Sequence, residues 1–278
     1  MIMKKIFNIL IITLIVTLLI GCQQKIEVVT PDDFYLGKYP QTLIVDEKII
    51  LSLKKITDKN EYGYYVYNGE EYHLYKDKYY KVEPIKWVKY ETNNKTFYLA
   101  EKVLDAQVFM SDEYFKVDIY SYVTKEGVPE NTHANNYYYS DLRKWLNTNF
   151  FATAFTSEEM KKIALTVNDN SPETTMESPN KYACETTEDY VFALSVSEMR
   201  GYKQEPVKPT DYAIACGAVP HNSLKIDSEY NGYIAYWLRS PNNYYSYNVS
   251  GVNYNGITYN YINCYYKEIG VRPTICLK

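Results

Sequence analysis

Apolar and polar positions alternate in short runs over the first third of this chain, then fall into helical spacing, then return to short runs broken by Asn and Gly. Leu43-Ile44-Val45 and Ile49-Ile50-Leu51 flank Asp46-Glu47-Lys48 and predict a hairpin. A second hairpin is predicted where Tyr64 to Tyr67 and Glu70 to Tyr75 flank Asn68-Gly69, because both turn residues tolerate positive φ. Further strands are expected over 85–90 and 96–100, joined through Asn93-Asn94. In the middle, Ser140 is placed to cap a helix with Leu142, Trp145, Leu146 and Phe150 on one face. Thr156 with Glu159, and Ser195 with Glu198, have the spacing of capping boxes, the second following an apolar strand over 190–194. Thr210 to Gly217 reads as a short helix ending on a left-handed glycine. Beyond it only strands and turns are expected, including a hairpin at Asn255-Gly256. Strands, two to four helices, then strands give an α+β fold class.

The first 22 residues are set apart. Lys4 and Lys5 precede an apolar run from Ile6 to Ile20, and Leu19-Ile20-Gly21-Cys22 fits the lipobox of a bacterial lipoprotein signal. A transmembrane anchor is the competing reading, but the run is short for a span and is interrupted by Asn8, Thr13 and Thr17. Cleavage before Cys22 would make it the acylated N-terminus, so a membrane is the expected partner through a lipid anchor, outside the cytoplasm. Residues 23–33 read as a tether and 34–278 as a single domain.

Removing Lys4 and Lys5 lowers the basic count from 30 to 28 against 34 acidic residues, a formal charge of −6. A mildly acidic exported chain with no Lys/Arg-rich block argues against nucleic acid as a partner. Cys184, Cys216, Cys264 and Cys276 lack metal-type spacing. Export permits disulfides, and no bridge, one or two all stay open. His73, His133 and His221 lie in unrelated contexts, and no nucleophile elbow or phosphate-cradling loop is present. Asn168-Asp169-Asn170 is a lone oxygen-rich triplet, better read as a solvated turn than as a calcium ligand set. The chain is therefore read as a non-enzyme with no cofactor and no metal.

The C-terminal segment carries the candidate site. Pro241 to Tyr266 contains no Asp, Glu, Lys, Arg or His, and Asn and Tyr fill 15 of the 25 positions from Asn242 to Tyr266. Tyr offers a rigid amphipathic face and Asn pairs donor with acceptor, a combination suited to contact rather than proton transfer. The candidate ligand-binding residues are Tyr244, Tyr245, Tyr247, Asn248, Asn253, Tyr254, Asn255, Tyr259, Asn260, Tyr261, Asn263 and Tyr265, for a glycan or protein ligand. Turn chemistry alone also uses Asn, Gly and Tyr, but seven Asn are many to bury. Every residue of this stretch is reachable from an Asn codon by changing adenines only, and Lys, Glu, Gln, Met and Trp are absent. Adenine-directed diversification leaves such a signature.

Several landmarks resemble an uncharacterised family of bacterial exported proteins. They are Phe34 to Thr42 (FYLGKYPQT), Glu83 to Trp87 (EPIKW), Leu104-Asp105, Ser140 to Asn147 (SDLRKWLN), Val191 to Ser195, Pro209 to Ala213, Trp237 to Pro241 (WLRSP) and Gly270 to Pro273 (GVRP). The layout is similar to C-type-lectin-like folds, including the formylglycine-generating-enzyme branch and the variable proteins of diversity-generating retroelements. The resemblance implies N- and C-terminal strands near each other, helices packed beside them, and a ligand surface just before the final Arg-Pro motif. It also implies that Trp237, Arg239 and Arg272 are structural rather than a ligand clamp. A divergent enzyme of the formylglycine-generating type, with Cys264 and Cys276 as its thiols, and a purely structural envelope protein are the alternative readings.

Overall fold

The computed structural model describes residues 34–92, 95–116, 119–200, 202, 205–222 and 229–278. Cys22, the tether and Asn93-Asn94 therefore lie outside the described residues. Residues 33–278 form one unit, built mainly from strands with short helices between them.

The longest strand, β4 (Lys78–Thr92), organises the first sheet. β1 (Phe34–Leu43) runs antiparallel along one side of it. On the other side lie β3 (Glu70–Tyr75) against its first half and β5 (Lys95–Ala100) against its second. β2 (Tyr65–Tyr67) closes onto β3. Asn68 and Gly69 both hold positive φ, at 51° and 79°, the tight turn their sequence predicts. The far edge of β5 takes β15 (Thr274–Ile275), so strands from both ends of the domain share this sheet, separated by β4 and β5.

A second sheet has the order β13-β12-β11-β14-β6. It comprises β6 (Asp105–Ala106), β11 (Tyr236–Pro241), β12 (Asn248–Val252), β13 (Thr258–Asn263) and β14 (Gly270–Val271). Two small ribbons complete the strands: β7 (Phe115–Lys116) with β8 (Ile119–Val123), and β9 (Thr166–Asn168) with β10 (Thr187–Asp189).

The helices start where their caps are. α1 (Glu47–Leu53) begins at Asp46, whose side chain accepts from Lys48 and Ile49 backbone N–H groups. This corrects the hairpin expected over 43–51: Ile49, Ile50 and Leu53 cover a small apolar cluster with Tyr72 and Tyr79. α2 (Asp141–Trp145) starts at Ser140 and continues through a π turn over Leu146–Phe150 into α3 (Phe151–Ala154). Leu142, Leu146 and Phe150 are fully buried along it. α4 (Ser157–Met160) has the Thr156–Glu159 capping box complete. α5 (Val196–Arg200) has the reciprocal bonds of Ser195 and Glu198. α6 (Asp211–Cys216) is capped by Thr210 and ends on Gly217 at φ 131°. The strand expected over 190–194 is only an extended segment: Phe192 forms a single bridge with Thr274. All four described cysteines are free. Among the described residues no helix is long and apolar enough to cross a membrane.

Candidate functional site

The candidate surface is built on the β11-β12-β13 end of the second sheet. All six residues of β11 and all five of β12 are buried, so these two strands are core on both faces. β13 is the edge strand and alternates: Tyr259 and Tyr261 are exposed while Asn260 and Ile262 are buried. A bulge sets Asn260-Tyr261 opposite the single residue Ser250. The Asn260 carbonyl is met by the side chain of Asn242, whose Nδ2 donates to it at 2.5 Å.

Asn242 is fully buried and also shapes the loop that follows it. Its Oδ1 accepts from the backbone N–H groups of Tyr244 and Tyr245 at 2.6 and 2.7 Å. Asn135, also fully buried, donates from Nδ2 to the carbonyls of Tyr245 and Asn248, both at 3.1 Å. Asn180 donates to the Pro241 carbonyl at 3.1 Å. Three buried amides thus fix the backbone from which the tyrosines project.

The projecting rings touch one another. Tyr245 and Tyr261 have centroids 6.3 Å apart, Tyr259 and Tyr261 5.6 Å, and Tyr245 and Tyr247 5.9 Å, each pair inclined at 41–61°. Tyr244, Tyr245, Tyr259 and Tyr261 are 56%, 49%, 46% and 43% exposed. The rings form a ridged aromatic surface rather than a flat platform. Its margin carries one carboxylate: Glu177, from a distant loop, accepts from the Tyr244 hydroxyl at 2.8 Å and from Asn243 Nδ2 at 2.7 Å. That bond to Glu177 raises the Tyr244 phenol above its ordinary value.

The predicted residues divide accordingly. Tyr244, Tyr245, Tyr259 and Tyr261 are brought together in the open, with Tyr247 half-buried among them. Asn263 is half-buried on the outward side of β13, where its Nδ2 donates to the Tyr265 hydroxyl at 3.2 Å. Asn253, Tyr254 and Asn255 lie apart at the β12–β13 turn, where Tyr254 stacks on His221 at 3.7 Å. That turn spans Asn253 to Gly256 and only Gly256 holds positive φ, so it is wider than the two-residue form expected. Tyr265 is half-buried against Phe115. Asn248 and Asn260 are corrections: at 5% and 6% exposure they lie inside the sheet and offer no contact surface. β12 has no open face, and β13 turns Asn260 to the same side as Ile262. Sequence reasoning missed Asn135, Asn180 and Glu177, which are 61 to 113 residues from the partners they serve here; no local signal marks them.

Trp237, Arg239 and Arg272 are buried behind this surface. Trp237 Nε1 donates to the Gln107 carbonyl at 2.8 Å. Arg239 forms a two-pronged pair with Glu198 at 2.5 and 2.8 Å, and donates to the Ala193 and Asp169 carbonyls and to Asn170 Oδ1. Asp169 and Asn170 of the triplet are therefore part of an arginine cradle, while Asn168 donates to Asp189. Arg272 donates to the Ala100 carbonyl and the Tyr236 hydroxyl. Burial pushes the Cys264 thiol up, away from the thiolate form. Among the described residues no group of His, Cys, Asp and Glu is placed to hold a metal.

Searches of curated proteins and of solved structures found no match. One family model does match, over residues 93–278, and so covers the second sheet, the helices from α2 onward and the tyrosine surface, while the landmarks before residue 93 precede it. The chain belongs to the family described as a domain of unknown function, DUF6273.

Proposed function

We propose that this protein is a non-enzymatic binding module, lipid-anchored through Cys22 at a bacterial cell envelope, that recognises a glycan or protein ligand with its C-terminal tyrosines. The observation that carries the reading is the contiguous ring cluster of Tyr245, Tyr247, Tyr259 and Tyr261, three of them more than 40% exposed on a backbone held by buried amides. Large exposed rings stabilise a fold little and a complex a great deal. Rigid support keeps the ordering cost of binding low. A C-type-lectin-like architecture is the finer fold reading. Its support is that strands from both ends of the domain share one sheet while a second sheet displays the surface.

The test replaces Tyr245, Tyr259 and Tyr261 together by Ser in the full chain. Binding to a glycan array and to intact cells is measured beside thermal unfolding. Loss of an aromatic anchor worth about 2 kcal/mol corresponds to roughly 30-fold weaker binding, with Tm moving by only a few degrees. Array signal lost on the variant identifies a glycan; loss confined to cells identifies a protein. A collapse of Tm, or binding unchanged on both, removes the reading.

A further inference from the structure

A second constellation lies in the first sheet, well away in sequence from the tyrosine surface. Lys38 follows the register shift of β1 beside Gly37, whose φ is +72°. Its Nζ donates to Glu71 Oε2 on β3 at 2.5 Å. Asn60, in the loop before β2, donates from Nδ2 to the other oxygen of the same carboxylate, Oε1, at 2.7 Å. An amine and a carboxamide are thus held by the two oxygens of one Glu.

The amide is engaged at its other end as well. Asn60 Oδ1 accepts from the backbone N–H groups of Tyr62 and Tyr64 at 3.0 and 2.9 Å. The loop is closed around it by Asn60 N–H to the Tyr64 carbonyl and Gly63 N–H to the Asn60 carbonyl, both 2.9 Å. Lys38 Nζ sits 4.8 Å from the Tyr62 ring centroid and 6.0 Å from that of Tyr64, which is 1% exposed. Side-chain exposures of 28% for Lys38 and 21% for Glu71 make the pair partly buried. A turn stabilised by one ion pair accounts for either half of this arrangement. It does not call for both halves on one carboxylate, with the carboxamide oxygen in a pair of N–H donors of the kind that stabilises a tetrahedral oxyanion.

We propose that Lys38 and Asn60 form an intramolecular amide cross-link, with Glu71 carrying the proton. Glu71 takes a proton from the Lys38 ammonium, and the freed Nζ lone pair adds to Asn60 Cγ. The developing oxyanion on Oδ1 is held by the Tyr62 and Tyr64 N–H groups. Glu71 returns the proton to Nδ2, the Cγ–Nδ2 bond breaks, and the leaving ammonia takes the second Nζ proton and departs as ammonium. One N–C bond forms and one breaks; no oxidant or co-reactant is needed. Positioning both reactants on the general acid–base group is what lets an unactivated amide react. The product would tie β1 to the loop ahead of the β2–β3 hairpin covalently.

The test is peptide mass mapping of the purified full chain after digestion in denaturant. The expected result is one branched peptide joining the Lys38 and Asn60 segments, lighter by one ammonia than the two linear peptides together. Glu71→Gln and Lys38→Arg, the second keeping a cation opposite Glu71, should yield linear peptides only. Two linear peptides from the wild-type chain overturn the proposal, whatever the variants do, and so does a branch that persists in Glu71→Gln.

Discussion

Replacing Arg239 by Leu should cost more stability than any surface change in this domain. Arg239 is 1% exposed, and its guanidinium serves Glu198, two backbone carbonyls and Asn170 together. Glu198, with 12% side-chain exposure, would remain as an unpaired buried carboxylate, and the carbonyls of Ala193 and Asp169 would lose a donor. Breaking one side of a buried pair costs about 3–5 kcal/mol. At about 2–4 °C per kcal/mol for a domain of this size, Tm should fall by roughly 6–20 °C. The pH dependence gives a second signature. Burial alone would push Glu198 up, but the Arg239 charge and hydrogen bonds outweigh it, so the carboxyl sits below its ordinary value. A depressed folded-state value contributes stability that is present above the unfolded value of about 4.3 and is lost as pH falls through the folded one. In Arg239→Leu only the Ser195 hydrogen bonds still oppose burial, so Glu198 takes up its proton more readily. The gap between wild type and variant should therefore narrow on acidification from pH 7 to pH 4. Arg239→Leu/Glu198→Leu should recover part of the loss, not all, because the orphaned carbonyls and the Ser195 N–H stay unpaired. Calorimetry at several pH values reads all of this. A single variant within about 2 °C of wild type at pH 7 would refute the argument.

Two smaller perturbations test the site and its support. Gly251→Ala would place a Cβ 2.4 Å from Ile262 Cδ1 and 2.7 Å from the Tyr236 carbonyl oxygen, so β11, β12 and β13 cannot all keep their spacing; overpacking of this kind costs about 1–3 kcal/mol, seen as a lower denaturation midpoint. Glu177→Gln removes the carboxylate at the edge of the tyrosine ridge, so ultraviolet titration should show the Tyr244 phenol returning toward its ordinary value while Tm stays within a few degrees.

Much of the fold was legible because local chemistry decides it. Asn68-Gly69, Ser140, the Thr156–Glu159 box, the Ser195–Glu198 box and the Thr210–Gly217 helix are short-range devices, and each is found where its residues stand. The hairpin misread at 43–51 had its own signal: Asp46 ahead of Glu47 caps a helix, and Ile49, Ile50 and Leu53 share a helical face. The apolar run over 190–194 suits a strand, yet its backbone pairs only at two points, Phe192 with Thr274 and the Leu194 carbonyl with the Arg239 N–H, too few for a ladder. The site was half legible. Alternation along β13 separates Tyr259 and Tyr261 from Ile262, and by the same parity it assigns Asn260 to the interior. That β12 is buried on both faces depends on what covers it, as do the roles of Asn135, Asn180 and Glu177. No window of sequence around the tail contains that information.

The same geometry limits how far the tail can vary if it is a diversified segment. Asn242 is irreplaceable in kind, since its amide meets two N–H groups and one carbonyl simultaneously and no other short side chain pairs donor with acceptor in that way. Val249, Val252, Ile262 and Cys264 are core, and Gly251 has no room for a Cβ. The exposed large side chains of the segment are Tyr244, Tyr245, Ile257, Tyr259, Tyr261 and Tyr266. Change is thus expected to be tolerated best at these six positions and least at the buried ones, Asn242, Val249, Gly251, Val252, Ile262 and Cys264. The Asn/Tyr composition thus divides by residue within the same strands: the buried amides hold the backbone still, and the exposed rings are the side chains that the proposed recognition would use.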